Sequence, residues 1–264
     1  MKHIYCILTL ILLLISCDTS VSTKTDISIQ KTLNYIEKKG SNFELSTGVF
    51  LDYLHLKFPE ENIPSFLEVY GDLKVFDKEE AKTTRLYKKL VDKNFIFDTN
   101  IAEYQENTPI NNLQYLMLNS LYCNQISIQD DFFQKIDKQN ALGGYFMTHA
   151  VLAIHFLEAN QCTHQQDLRS IKQTQSKLLK KEIDKPSSND LQYEAIALLK
   201  LIHPATSITP QWVQSIIQAQ QEDGGWQRVK SKQKTNDHTT LLALWVLLDS
   251  KYPKRQSYNL IKNQ

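Results

Sequence analysis

Apolar helical stretches that recur every few dozen residues constrain this chain more than any other feature. They begin near Asn112, Met147, Leu191 and Thr239, at intervals of 35, 44 and 48 residues. More polar stretches lie between them, Gln129 to Gln139, Gln165 to Ile183 and Pro210 to Gln221. The apolar positions follow the 3.6-residue helical period, and period-2 alternation is almost absent. Two units overlay with one residue of slippage. Ile128, Phe132-Phe133 and Gly143-Gly144-Tyr145 fall on Ile208, Trp212-Val213 and Gly224-Gly225-Trp226. A helix pair that cannot bury its apolar face alone must stack on its neighbours, so this period predicts an α-solenoid or its closed form. The nearly continuous apolar helices belong inside and the polar ones outside. Upstream, the pattern predicts helices over Ile29–Ile36, Thr47–Phe58, Phe66–Phe76 and Glu80–Val91, then an irregular stretch from Asn94 to Pro109. Pro210 suits a first helical position, with Thr209 as its N-cap.

The N-terminus carries an address. Met1-Lys2-His3 precedes an apolar run from Ile4 to Ile15, then Ser16-Cys17. A dozen apolar residues fall short of the roughly 20 needed to span a bilayer, and the pattern reads as a secretion signal. Leu14-Ile15-Ser16-Cys17 resembles a bacterial lipobox. It implies a signal peptide over 1–16, a lipidated Cys17 carrying palmitate-type acyl chains, a flexible tether over 17–26 and a helical domain over 27–264. An ordinary cleaved signal that contains a cysteine is the competing reading. Lipidation would hold the domain at a membrane of the cell envelope, outside the cytoplasm.

Removing 1–16 takes away Lys2 alone and leaves 29 basic against 29 acidic residues. A balanced chain has no general attraction for nucleic acid, so the expected partners are the membrane and an unidentified small molecule or protein. Of four cysteines, Cys6 leaves with the signal and Cys17 carries lipid. Cys123 and Cys162 each close an apolar helix at comparable places in successive units. Either a disulfide or two buried thiols fits them.

Gln220, Gly224 and Trp226 reproduce the Gln-x-x-x-Gly-x-Trp core repeated in squalene and oxidosqualene cyclases. In that family the motif is structural, tying neighbouring outer helices together. The resemblance implies an all-α fold, an α/α toroid or open arc of about five to six helical hairpins in one domain. The same block is similar to the last repeat of protein prenyltransferase β subunits, where a Gly-Gly pair is followed after twelve residues by a His-Thr whose histidine binds zinc. Here Gly224-Gly225 is followed by twelve residues and then His238-Thr239. The family's other ligands are an Asp and a Cys two residues apart, followed by a Tyr. Asp190-Leu191-Gln192-Tyr193 stands in that place with Gln192 for the cysteine. Without the thiolate the site loses a strong ligand and the group that activates a substrate thiol, so the resemblance does not extend to prenyl transfer. The cyclases' Asp-rich acid motif is also missing, and Asp130-Asp131 is better read as charge at a helix N-terminus.

The heads of the inner helices would meet at one mouth of a central cavity. That end gathers His149, Asp190, Gln192, Tyr193, Glu194 and His238 as candidate residues. Two histidines, two carboxylates and a tyrosine can hold a metal or exchange protons. No cofactor is predicted; a divalent metal on Asp190 and His238 stays open. The bland alternative makes Thr148, Asn189 and Asp237 N-caps, with the histidines bonded to adjacent loops. No Gly-x-Ser-x-Gly elbow, phosphate loop, His-Glu-x-x-His helix or Cys-x-x-Cys pair occurs. The leading expectation is a membrane-anchored, non-catalytic toroid that binds a ligand or partner in its cavity. An envelope enzyme acting through the His/Asp/Glu cluster is the first alternative, and a structural envelope scaffold the second.

Overall fold

The chain folds as helices because its apolar residues sit on helical stripes and its polar residues cap the ends. The computed structural model describes the backbone of residues 2–92, 94–96, 111–128, 130–162, 168–229 and 234–255, with side chains from residue 21 onward. Among them are eleven α-helices and no strand. In chain order they are α1 (Lys2–Lys39), α2 (Leu45–Lys57), α3 (Phe66–Tyr70), α4 (Lys88–Val91), α5 (Asn112–Leu121) and α6 (Phe132–Leu142). After these come α7 (Gly144–Ala159), α8 (Leu168–Asp184), α9 (Asn189–Ile202), α10 (Pro210–Gln218) and α11 (Asp237–Lys251).

Caps fix the boundaries. Asn111 and Gln114 form a reciprocal capping box at the head of α5. Thr209 accepts from Trp212 N as the expected N-cap of α10, with Pro210 at its start. Ser188 and Asn236 cap α9 and α11, each one residue before the expected Asn189 and Asp237. Thr148 is no cap at all. It is buried in the second turn of α7, where its hydroxyl donates to the Tyr145 carbonyl at 3.1 Å. The helices expected over Phe66–Phe76 and Glu80–Val91 are broken. Gly71, at φ +74°, ends α3, and short 3₁₀ turns at Leu73–Asp77, Glu79–Ala81 and Arg85–Tyr87 lead into α4.

The segment expected as a loose tether is helical, because α1 runs unbroken through 17–26. Thr25 is buried and its hydroxyl donates to the Val21 carbonyl at 2.9 Å, while Thr32 does the same to Ser28. Hydroxyl residues can thus be accommodated inside a helix when tertiary contacts hold it. Cys17 lies outside the residues whose side chains are described. Among the described residues no helix is long and apolar enough to cross a membrane.

The apolar helices pack in sequence: α7 on α5, α9 on α7, α11 on α9 and α2 on α11. The polar helices lie against them, α6 on α7, α8 on α9 and α10 on α11, with α1 on both α10 and α11. Helix α1 runs antiparallel to α11. Asp26 pairs with Lys251 at 3.0 Å near one end, and Tyr35 donates to Asp237 at 2.5 Å at the other. Helix α2 runs parallel to α11, with Phe50 beside His238 and Lys57 bonded to Asp249.

Buried lysines close the C-terminal ends of the apolar helices, where carbonyls lack intrahelical partners. Lys57 is paired with Asp249 at 2.6 Å. Lys89 donates to the Leu121 carbonyl at 2.8 Å and reaches Asn124 and Asn160. Lys200 donates to the carbonyls of Pro204, Thr206 and Pro253. At the same end Cys123, just after α5, is joined by a disulfide to Cys162, just after α7.

Candidate functional site

The repeat motif is a joint between the two ends of the chain. The Gln220 amide donates to the Ser28 carbonyl at 3.0 Å, to Thr32 Oγ1 at 3.1 Å and to the Gly224 carbonyl at 2.9 Å, and its Oε1 accepts from Ser28 Oγ at 2.8 Å. Gly224 adopts φ +94°, and a Cβ there would lie 2.2 Å from the Lys31 carbonyl oxygen. Trp226 is fully buried, donating from Nε1 to the Ile216 carbonyl at 2.8 Å. These three residues hold α10 and α11 to α1.

Between the apolar helices lies a cavity of about 380 Å³. Its walls are mainly apolar and aromatic, with Phe50 and Tyr53 from α2, Tyr87 ahead of α4, Phe156 from α7 and Trp245 from α11. The lining also includes His149, Glu194 and His238, the first from α7, the second from α9 and the third from α11. All three sit toward the heads of their helices, so the polar groups gather at one end. A second, larger groove beside α1 carries Glu60, Glu61 and Glu68. Those carboxylates are already used: Glu60 pairs with Arg255, Glu61 accepts from Lys251 and Tyr252, and Glu68 completes the cap of α3.

Asp190 organises the polar end. Its Oδ1 accepts from Thr239 Oγ1 at 2.5 Å and from His238 Nδ1 at 3.2 Å, and its Oδ2 accepts from Tyr145 Oη at 2.6 Å. Burial opposes its ionised form, but the bonds from His238, Thr239 and Tyr145 outweigh burial and hold its carboxyl below the usual range. Arg228 donates to Tyr145 Oη at 3.0 Å and lies over that ring at 4.9 Å. Burial and the Asp190 carboxylate push the Tyr145 hydroxyl up to about 12.

His238 is 45 % exposed and lines the cavity. With Nδ1 directed to Asp190, its Nε2 is left for the cavity. Burial alone would lower its pKa, but the Asp190 hydrogen bond and the charges of Glu194 and Asp190 raise it overall. His149 gives Nδ1 to the Tyr145 carbonyl at 2.7 Å, which also leaves Nε2 unengaged. Glu194 is only 5 % exposed, and its Oε2 has no hydrogen-bond partner. Burial raises its pKa, against the opposing influence of His149, His238 and a hydrogen bond from the Thr148 hydroxyl. Tyr53 Oη, also on the cavity wall, is a second buried polar atom without a partner.

Of the six expected mouth residues, four converge and two do not. Asp190 and Glu194 are one turn apart on α9 and meet His149 and His238. Gln192 is turned about 200° from Asp190 at 100° per residue, and donates to the Ile183 carbonyl at the end of α8. Tyr193 packs in the hydrophobic core and does not line the cavity. Among the described residues no group of three or more His, Cys, Asp or Glu is placed to hold a metal ion. Asp190 and His238 are instead hydrogen-bonded to each other. Of the other histidines, His55 meets the Ile63 carbonyl and His203 meets Ser176 Oγ. His155 is largely buried, with its pKa pushed down to about 4 by burial. His164 lies outside the described residues.

Tyr145 and Arg228 were not among the expected site residues. A signal for Tyr145 is present in the overlay of units, which places it where the other unit has Trp226. The indole reaches a backbone carbonyl, whereas the phenol reaches a carboxylate. The aromatic wall from α2 carries no such signal, because Phe50 and Tyr53 read as ordinary core. No protein-family model matches this chain, and no curated protein or solved structure matches it.

Proposed function

We propose that this chain is a binding domain, held at a bacterial membrane through Cys17, that takes a small molecule with a largely apolar body into the cavity beside Glu194. One observation carries the reading. Glu194 is a buried carboxylate with an unpartnered oxygen on a mainly apolar and aromatic wall. An unsatisfied buried polar atom is costly, and one that borders a cavity can be completed by a ligand. The order of packing, α5 to α7 to α9 to α11 to α2, favours a ring of inner helices around that cavity and hence the α/α toroid. In this ring the residue-21 end of α1 lies beside the C-terminal end of α11. An anchor at Cys17 would therefore leave the polar mouth directed away from the membrane that holds the chain.

The cavity volume is at the low end of the roughly 300–1,000 Å³ typical of ligand sites, which fits a molecule smaller than most cofactors. The test is a titration of the full-length chain with 2-phenylethanol, followed by tryptophan fluorescence, because Trp245 lines the cavity. Saturable quenching that is lost in Leu198→Trp, a substitution that fills the cavity, is the expected result. A linear, non-saturating response in the wild type to this alcohol and to its ammonium and carboxylate counterparts alike would remove the binding reading.

An enzymatic reading has one specific support: His238 is oriented by Asp190 as a general acid or base is oriented by its partner. On that reading His238→Gln abolishes turnover of a bound molecule while leaving its affinity nearly unchanged.

A further inference from the structure

Resting on the cavity-binding reading, we infer that the ligand presents a protonated amine to Glu194, with its apolar body against the aromatic wall. His149, His238 and Arg228 act on Glu194 through their charge and the Thr148 hydroxyl bonds to its carboxyl, but none of them partners its Oε2. His238 on α11 directs Nδ1 to Asp190, whose oxygens also take Thr239 and Tyr145. His149 on α7 gives Nδ1 to the Tyr145 carbonyl. Arg228 is held on the hydroxyl and ring of Tyr145. The α2 side and the segment before α4 contribute the phenols Tyr53 and Tyr87 and no acidic or basic side chain to the lining. Among the described residues no lysine or arginine forms an ion pair with Glu194.

A buried carboxylate is strongly disfavoured unless a cation and hydrogen-bond donors complete it. An ammonium head supplies both, with up to three N–H donors for the Glu194 carboxylate and His149 Nε2. The five rings of Phe50, Tyr53, Tyr87, Phe156 and Trp245 add faces that attract a cation, worth roughly 0.5–2 kcal/mol for a well-placed contact. An anionic head would meet Glu194 with like charge, and an alcohol would leave that charge uncompensated.

The test uses three probes with the same phenyl-alkyl body on the full-length wild-type chain: 2-phenylethylammonium, 2-phenylethanol and 3-phenylpropanoate. Near neutral pH the ammonium should bind at least about tenfold more tightly than the alcohol, the ratio expected for one charge-assisted hydrogen bond in a dry site. The propanoate should bind most weakly. Acidification should weaken ammonium binding, because Glu194 takes up a proton and His238 gains positive charge, while alcohol binding stays nearly constant. In Glu194→Gln the ammonium and the alcohol should bind alike. Equal wild-type affinities, or a preference for the propanoate, would overturn the amine assignment and leave the cavity reading standing. Failure of all three probes to bind would overturn both. The wild-type comparison needs no variant, so the result does not depend on how Glu194→Gln folds.

Discussion

Gln220 and Ser28, 192 residues apart, bond to each other in both directions: the glutamine amide donates to the serine carbonyl at 3.0 Å, and the serine hydroxyl donates to the glutamine oxygen at 2.8 Å. The joint they make is sealed by Gly224, whose φ of +94° and closeness to Lys31 leave no room for a side chain. Gln220→Ala leaves the carbonyls of Ser28 and Gly224 short of a donor, at about 1–3 kcal/mol for an unsatisfied buried group. Gly224→Ala adds backbone strain to a steric clash and should cost about as much or more. Thermal unfolding checks both. Each variant should melt several degrees below the wild type, at roughly 2–4 °C per kcal/mol for a chain of this size.

The Cys123–Cys162 disulfide closes a loop with a sequence separation of 39. Loop-closure entropy alone predicts that removing it costs about 4 kcal/mol. Urea unfolding of Cys123→Ser/Cys162→Ser, or of the reduced wild type, should show a correspondingly lower midpoint. An unchanged midpoint under reduction would mean that Lys89 and Asn160, which already tie the same two loops together, suffice without the bridge.

Glu194 carries a stability cost that depends on pH. Burial raises its folded pKa above the ordinary 4.5. The folded state therefore favours the protonated acid, and its disadvantage grows as pH rises from the ordinary value through the folded one. Glu194→Gln should accordingly melt higher than the wild type at neutral pH, by roughly 2–4 °C if about 1 kcal/mol is relieved. Near pH 4 the gain should vanish. A site kept for ligand rather than for stability behaves this way.

His155 works in the opposite pH direction. Its folded pKa is pushed down from 6.5 to about 4 by burial. Below the ordinary value the unfolded chain takes up a proton that the folded chain resists, so stability falls as pH drops through this window. The full loss is on the order of 3 kcal/mol by the lower end. His155→Leu should remove that part of the slope and shift the acid unfolding midpoint downward. An identical acid profile in the variant would show that His155 titrates normally.

The helical class and the placement of the apolar helices were legible because burial on most sides writes a long, nearly continuous apolar pattern. Thr209 and Pro210 marked the start of α10 for the same local reason. The region after Gly71 was not legible. Its apolar spacing suits a helix, and only the left-handed glycine and the turns that follow divide it. The polar end was legible in part. Position at a helix head brought out His149, Asp190, Glu194 and His238 together, but it could not say which way each side chain turns. Gln192 is separated from Asp190 by helical rotation, Tyr193 lies near the Asp190 face but packs into the hydrophobic core instead of lining the cavity, and the contribution of α2 depends on long-range packing that leaves no local trace.

The most direct test of the account is methyl-labelled leucine NMR of the full-length chain during titration with 2-phenylethylammonium. Leu152, Leu198 and Leu242 line the cavity, whereas Leu67 and Leu142 are exposed on the outside. The account predicts that the first three shift together along one saturating curve, that the latter two stay still, and that Glu194→Gln weakens the curve. Shifts confined to Leu67 and Leu142, or no saturable shift of the cavity leucines, would contradict it.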